Sequence, residues 1–116
     1  MPQRAPELSQ ADIDRLIARD FPPIDRARVT AALEEYGKES WHNEVIRVRA
    51  AILKMADGDL ERLRVDLEVA KTDYRDVLAA AEYPLYSRRP FDDMPDAERE
   101  RIIADDWAQY QEWLTR

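Results

Sequence analysis

Apolar residues recur along most of the chain at alternating steps of three and four, and no apolar-polar alternation of any length interrupts them. The pattern predicts helices throughout. Its longest stripe is Leu60, Leu63, Leu67, Ala70, Tyr74, Val77 and Ala81, which reads as one helix over 59–81. Ahead of it, Val45, Val48, Ile52 and Met55 form one apolar set and Ile46, Ala50 and Leu53 a second. Only an edge with Glu44, Arg47 and Lys54 is left for water, so this helix, capped by Ser40, is expected at the centre of the core. The short turn Asp57-Gly58-Asp59 then predicts that the two helices form an antiparallel hairpin, with Gly58 as the stop of one and Asp59 as the cap of the other. At about 1.5 Å per residue they are roughly 24 and 36 Å long, so the second overhangs the first. The overhang carries Tyr74, Val77, Leu78 and Ala81, which must bury against the remaining helices or a second copy of the chain.

Punctuation residues place the rest. Ser9, followed three positions later by Asp12, caps a short helix with Ile13, Leu16 and Ile17 on its buried edge, and Phe21-Pro22-Pro23 ends it. A second helix starts near Ile24, carries Val29, Ala32, Leu33 and Tyr36, and stops at Gly37. Glu82-Tyr83-Pro84 ends the long helix, and residues 85–92 form an irregular connection. Asp93 caps a last helix, with Pro95 in its first turn and the stripe Ile103, Trp107, Tyr110 and Leu114, flanked by Ile102 and Trp113. The expectation is a single all-α domain over residues 9–116, a small five-helix bundle built on the central hairpin, preceded by a disordered arm over residues 1–8.

Composition narrows the functions. One domain is the natural size for 116 residues. The absence of cysteine excludes disulfides, a thiol nucleophile and every thiolate metal site. No apolar run is long enough to span a membrane and no secretory signal is readable, so a cytoplasmic protein that does not enter membranes is expected. The net charge of −7 repels a phosphate backbone and argues against nucleic acid. The acids concentrate in residues 90–116, where eight stand against three arginines.

Few residues carry chemistry. Five glutamates stand three positions before a base (Glu35 and Lys38, Glu44 and Arg47, Glu61 and Arg64, Glu68 and Lys71, Glu98 and Arg101), a spacing typical of solvated helix faces. No Glu-x-x-Glu pair exists to hold magnesium; the closest carboxylate pairs are Asp73 with Asp76 and Asp93 with Asp96. Asp57, Asp59 and Glu61 open like a calcium loop but lack its later glycine and glutamate, so turn and cap explain them. No metal or other cofactor is expected. His42, the sole histidine, falls in the expected first turn of the third helix and is a candidate general base if Asp73 or Asp76 lies beside it. The serines have no nucleophile-elbow context. Arg88 and Arg89 are an anion-recognition candidate. Trp41, His42, Tyr83, Tyr86 and Phe91, together with those arginines, are the candidates for binding a partner, because clustered exposed aromatics anchor interfaces.

The runs Ala51-Ile52-Leu53-Lys54, Gly58-Asp59-Leu60-Glu61-Arg62-Leu63, Asp73-Tyr74-Arg75-Asp76-Val77-Leu78 and Glu82-Tyr83-Pro84 resemble short bacterial helical proteins of uncharacterised activity. The likeness covers roughly residues 41–86. It implies a self-contained helical domain from a bacterium and brings no site with it.

Three functional readings follow. The first is a small non-catalytic module that binds a protein partner or its own copy. The second is an acidic inhibitor of a basic protein, and the third is a small hydrolase or isomerase using His42 with a nearby carboxylate.

Overall fold

Ser9 opens the first helix by reciprocal hydrogen bonding: its hydroxyl accepts from the Asp12 N–H at 3.4 Å, and its own N–H donates to the Asp12 carboxylate at 2.9 Å. The computed structural model describes residues 5–88 and 94–116, and among these it is all-helical with no strand. Seven helices run in the order α1 (Gln10–Asp20), α2 (Pro23–Glu34), α3 (Val45–Ala56), α4 (Leu60–Thr72), α5 (Tyr74–Glu82), α6 (Pro84–Ser87) and α7 (Asp96–Thr115).

The count exceeds the expected five for two reasons. The helix expected over 59–81 is cut at Asp73, whose extended backbone (φ −151°, ψ 101°) ends α4 and whose carboxylate accepts from the Arg75 N–H to cap α5. Apolar phase survives the cut: Leu63, Leu67, Ala70, Val77 and Ala81 are all buried. In addition, the expected irregular connection after Pro84 contains the single turn α6. Two boundaries also move. α3 begins at Val45 rather than after Ser40, so His42 lies in a turn and not on a helix. α7 begins at Asp96 with Pro95 as its N-cap; Asp93, the expected cap, lies outside the described residues.

No residue of α3 is exposed, in keeping with its place between α1, α4 and α5. Asp57 and Gly58 take left-handed backbone (φ 49° and 81°) and turn the chain from α3 into α4, where Asp59 accepts from the N–H groups of Glu61 and Arg62. A side chain at Gly58 would meet the Asp20 carbonyl at 3.0 Å, so that turn nests against the end of α1. α2 lies on α1 and α4, and α7 on α5 and α6. Of the expected arm, residues 1–4 lie outside the described set, while Leu8 packs on the core and Pro6 lines a small cavity against α7.

Many helix ends are closed by side chains from elsewhere in the fold, which satisfies backbone groups a helix cannot pair itself. Arg49 of α3 donates to the Leu33 and Tyr36 carbonyls at the end of α2. Gln109 of α7 donates to the Ala81 and Glu82 carbonyls at the end of α5. Arg15 and Arg19 of α1 donate to the Leu114, Trp113 and Arg116 carbonyls at the end of α7. Asp106, only 2 % exposed, accepts from the Leu85 and Tyr86 N–H groups, both at 3.0 Å, at the start of α6. This changes the buried face of α7, which is Asp106, Tyr110 and Trp113 in place of the expected Trp107 and Leu114, both half-buried.

The charged residues are therefore less idle than expected. Of the five short-range pairs, Glu44–Arg47, Glu61–Arg64 and Glu68–Lys71 form ion pairs at 3.9, 3.4 and 3.3 Å. Yet Arg47 makes its closest contacts with the buried Glu82 of α5 in a two-pronged pair, and Lys71 lies nearer Glu35 of the α2 end at 2.7 Å.

Candidate functional site

Gly37, at φ 124°, lets the chain leave α2 in a tight turn, and the imidazole of His42 folds back to fasten it. His42 Nδ1 accepts from the N–H groups of Gly37 at 2.8 Å and Glu39 at 3.3 Å. A ring nitrogen that accepts is unprotonated, so the neutral ring carries its hydrogen on Nε2. The ring stacks on Tyr36 at 4.5 Å between centroids, and the Tyr36 hydroxyl donates to the Asn43 carbonyl. Trp41 also meets the imidazole, edge-on at 5.7 Å. Stacking and hydrogen bonds thus hold a seven-residue turn rigidly enough to present Trp41, which is 63 % exposed.

Trp41 and His42 border two neighbouring grooves. One, about 350 Å³, extends toward Glu35, Lys38 and Glu39; the other, about 280 Å³, runs toward the α4–α5 junction at Thr72, Asp73, Tyr74 and Arg75. A third groove of about 410 Å³ begins at the same Asp73 and Arg75 and follows α5 past Asp76 and Ala79 to Tyr83, Tyr86 and Ser87. The first two grooves share Trp41, His42 and Lys71, the second and third share Asp73 and Arg75, and this succession from Glu39 to Ser87 is the candidate track. Tyr83 and Tyr86, in edge-on contact at 6.4 Å, lie at its far end. Burial beside Glu82 pushes the Tyr83 phenol above its ordinary value, and Tyr86 is buried as part of the floor.

The structure therefore brings Trp41 and His42 together on two grooves, and Tyr83 and Tyr86 together on a third that shares Asp73 and Arg75 with one of them. Arg88 falls elsewhere, in a separate depression with Leu85, Glu98, Arg101 and Ile102. Arg89 and Phe91 lie outside the described residues. Two residues of the track, Tyr74 and Arg75, escape sequence reading, because within one continuous helix they look like stripe and solvated face. The Thr72-Asp73 dipeptide followed by Asp76 was the available signal of a new helix start.

Charge along the track is partly self-satisfied. The Arg75 guanidinium grips both oxygens of Asp73 at 3.0 Å and holds that carboxyl below its usual range. The Lys71 ammonium donates to one oxygen of Glu35 at 2.7 Å and likewise holds that carboxyl below its usual range. Asp73 is thus occupied by Arg75, and among the described residues no carboxylate hydrogen-bonds to His42. Among the described residues, too, no three histidine or carboxylate side chains converge as a metal site would require, and no helix is long and apolar enough to cross a membrane. No family model, curated protein or solved structure matches the chain.

Proposed function

We propose that the chain is a small non-catalytic binding module that holds an extended segment of a protein partner along the track from Trp41 to Tyr86. The observation that carries this reading is the exposed indole of Trp41 at the junction of two grooves, on a turn fastened by the hydrogen bonds to His42. The half of the track along α5 spans nine residues, about 13 Å at the helical rise, which matches the reach of about four extended residues at about 3.3 Å each. Selection of a displayed peptide library against the folded chain tests it. Enriched peptides are expected to lose binding to the Trp41→Ala variant and keep it with Val65→Ala, an exposed site on α4 that lines none of the grooves. A library that enriches nothing, or peptides indifferent to Trp41→Ala, would overturn the reading.

A further inference from the structure

We infer that residues 5–8 are a strap, which swings off the helical body about Ser9 while the helices stay folded and so uncovers an aromatic pocket between the end of α5 and α7. Burial alternates along these residues: Pro6 and Leu8 are half-buried, Ala5 and Glu7 exposed. Leu8 packs on the core, and Pro6 lines the pocket together with Tyr83, Ile103, Trp107 and Tyr110. A proline ring against aromatic side chains is the chemistry by which grooves hold extended, proline-bearing segments. Pro6 thus occupies the pocket as a ligand tethered to its own chain. Two features let this contact break by itself. No hydrogen bond joins Ala5, Pro6, Glu7 or Leu8 to any described residue, so packing alone holds them. The start of α1 is also closed from within, since Ser9 and Asp12 cap each other, and the helix keeps those bonds when the residues before it leave. A segment held by little buried surface and no backbone hydrogen bond opens at far lower cost than the helices beneath it. A cavity of about 20 Å³ remains beside Pro6, which forfeits part of the packing that a filled seat would give. Tyr83 also lines the last groove of the track, so an open strap bares a ring common to both, yet the strap rests on residues 5–9 whether or not the track holds a segment.

Native-state proteolysis of the full chain with a glutamate-specific protease tests this, because Glu7 lies within the strap and the protease needs several residues around the cut free of the body. The Glu7–Leu8 bond is expected to be cut at least tenfold faster than the bond after Glu68, in the middle of α4, and at least tenfold more slowly than the same bond in a free peptide of residues 1–12. Ile103→Ala loosens the seat of Pro6 without touching the cut site, and should speed the Glu7 cut at least threefold relative to the Glu68 cut, whereas Val65→Ala should not. Hydroxyl-radical footprinting of Ile103→Ala should show labelling raised at Tyr83 and Trp107 and unchanged at the buried Trp113. Should Ile103→Ala unfold, Pro6→Gly read against a free peptide of its own sequence takes its place. A Glu7 bond cut as fast as in the free peptide would mean that the arm is not seated, and one cut no faster than the bond after Glu68 would mean that it leaves only on unfolding. Either result overturns the proposal, as does an unchanged cutting ratio in the variant or labelling that rises equally at Trp113.

Discussion

Replacing Asp106 by alanine removes an acceptor of two amide groups at the start of α6, those of Leu85 and Tyr86. A buried N–H left unpaired costs about 1–3 kcal/mol, so the pair sets an upper range of about 2–6 kcal/mol. Because α6 is a single turn of four residues, it can loosen and let water reach the amides, which limits the loss to about 3 kcal/mol. An unfolding entropy of about 2.1 cal/mol/K per residue over 116 residues converts this to a fall in Tm of about 12 °C. Asp106→Asn keeps one acceptor oxygen but turns an amide donor toward the second N–H, so its loss should lie between wild type and alanine. Urea and thermal unfolding give the magnitude, and hydrogen exchange at the Leu85 and Tyr86 amides gives the location. A loss under about 1 kcal/mol for Asp106→Ala, or wild-type amides that exchange as fast as an open loop, would refute the assignment of Asp106 as the cap of α6.

The Arg47–Glu82 pair is largely buried, with side chains 15 % and 6 % exposed, so Glu82→Gln should cost about 3 kcal/mol while Arg47→Met combined with Glu82→Leu recovers most of it, as a double-mutant cycle in urea can measure. Burial raises the Asp66 carboxyl, whose Oδ2 has no hydrogen-bond partner among the described residues, against a smaller opposing effect of Arg62. A folded-state value above the unfolded one means the native chain binds the proton more tightly, so this group costs stability at neutral pH and the cost fades as pH falls toward the unfolded value near 3.8. Asp66→Asn should therefore raise Tm at pH 7 and give no gain once the pH is below that value, which thermal scans across pH will check. Gly37→Ala should destabilise by about 1–3 kcal/mol, because its positive φ strains any side chain and the added carbon would meet Arg49 and Val45 at 3.0 Å. Intact Tm in that variant would contradict the turn geometry.

The sequence spelled out what local chemistry decides and obscured what distant contacts decide. Ser9 with Asp12, and Asp59 after Gly58, announce helix starts through side chains that bond their own neighbours, and both caps form as read. The core stripes were equally visible, since burial follows period. Asp73 was hidden by that same period: its break leaves Tyr74 and Val77 in phase with Leu67 and Ala70, so the apolar pattern carries no trace of it. Ser40 looked like a cap for α3, yet the chain from Gly37 to Asn43 is instead gathered by His42 Nδ1 and the Tyr36 hydroxyl. Asp106 looked like surface because its partners, the amides of Leu85 and Tyr86, lie 21 and 20 positions away. Trp41, Tyr83 and Tyr86 could be named as candidates by residue type, but only packing of the 37–43 turn beside the α4–α5 junction joins them into one track.

Arg15 reaches the Leu114 carbonyl across 99 positions of chain, and Arg19 reaches Trp113 across 94. During synthesis these bonds wait for α7, which leaves the ribosome after every other described helix. Until then α1 has no C-terminal helix to hold, and the amides of α6 have no Asp106 to receive them. A nascent chain whose α7 is still inside the ribosome is thus expected to leave the Leu85 and Tyr86 amides without Asp106 and to expose the face of α5 and α6 that α7 covers.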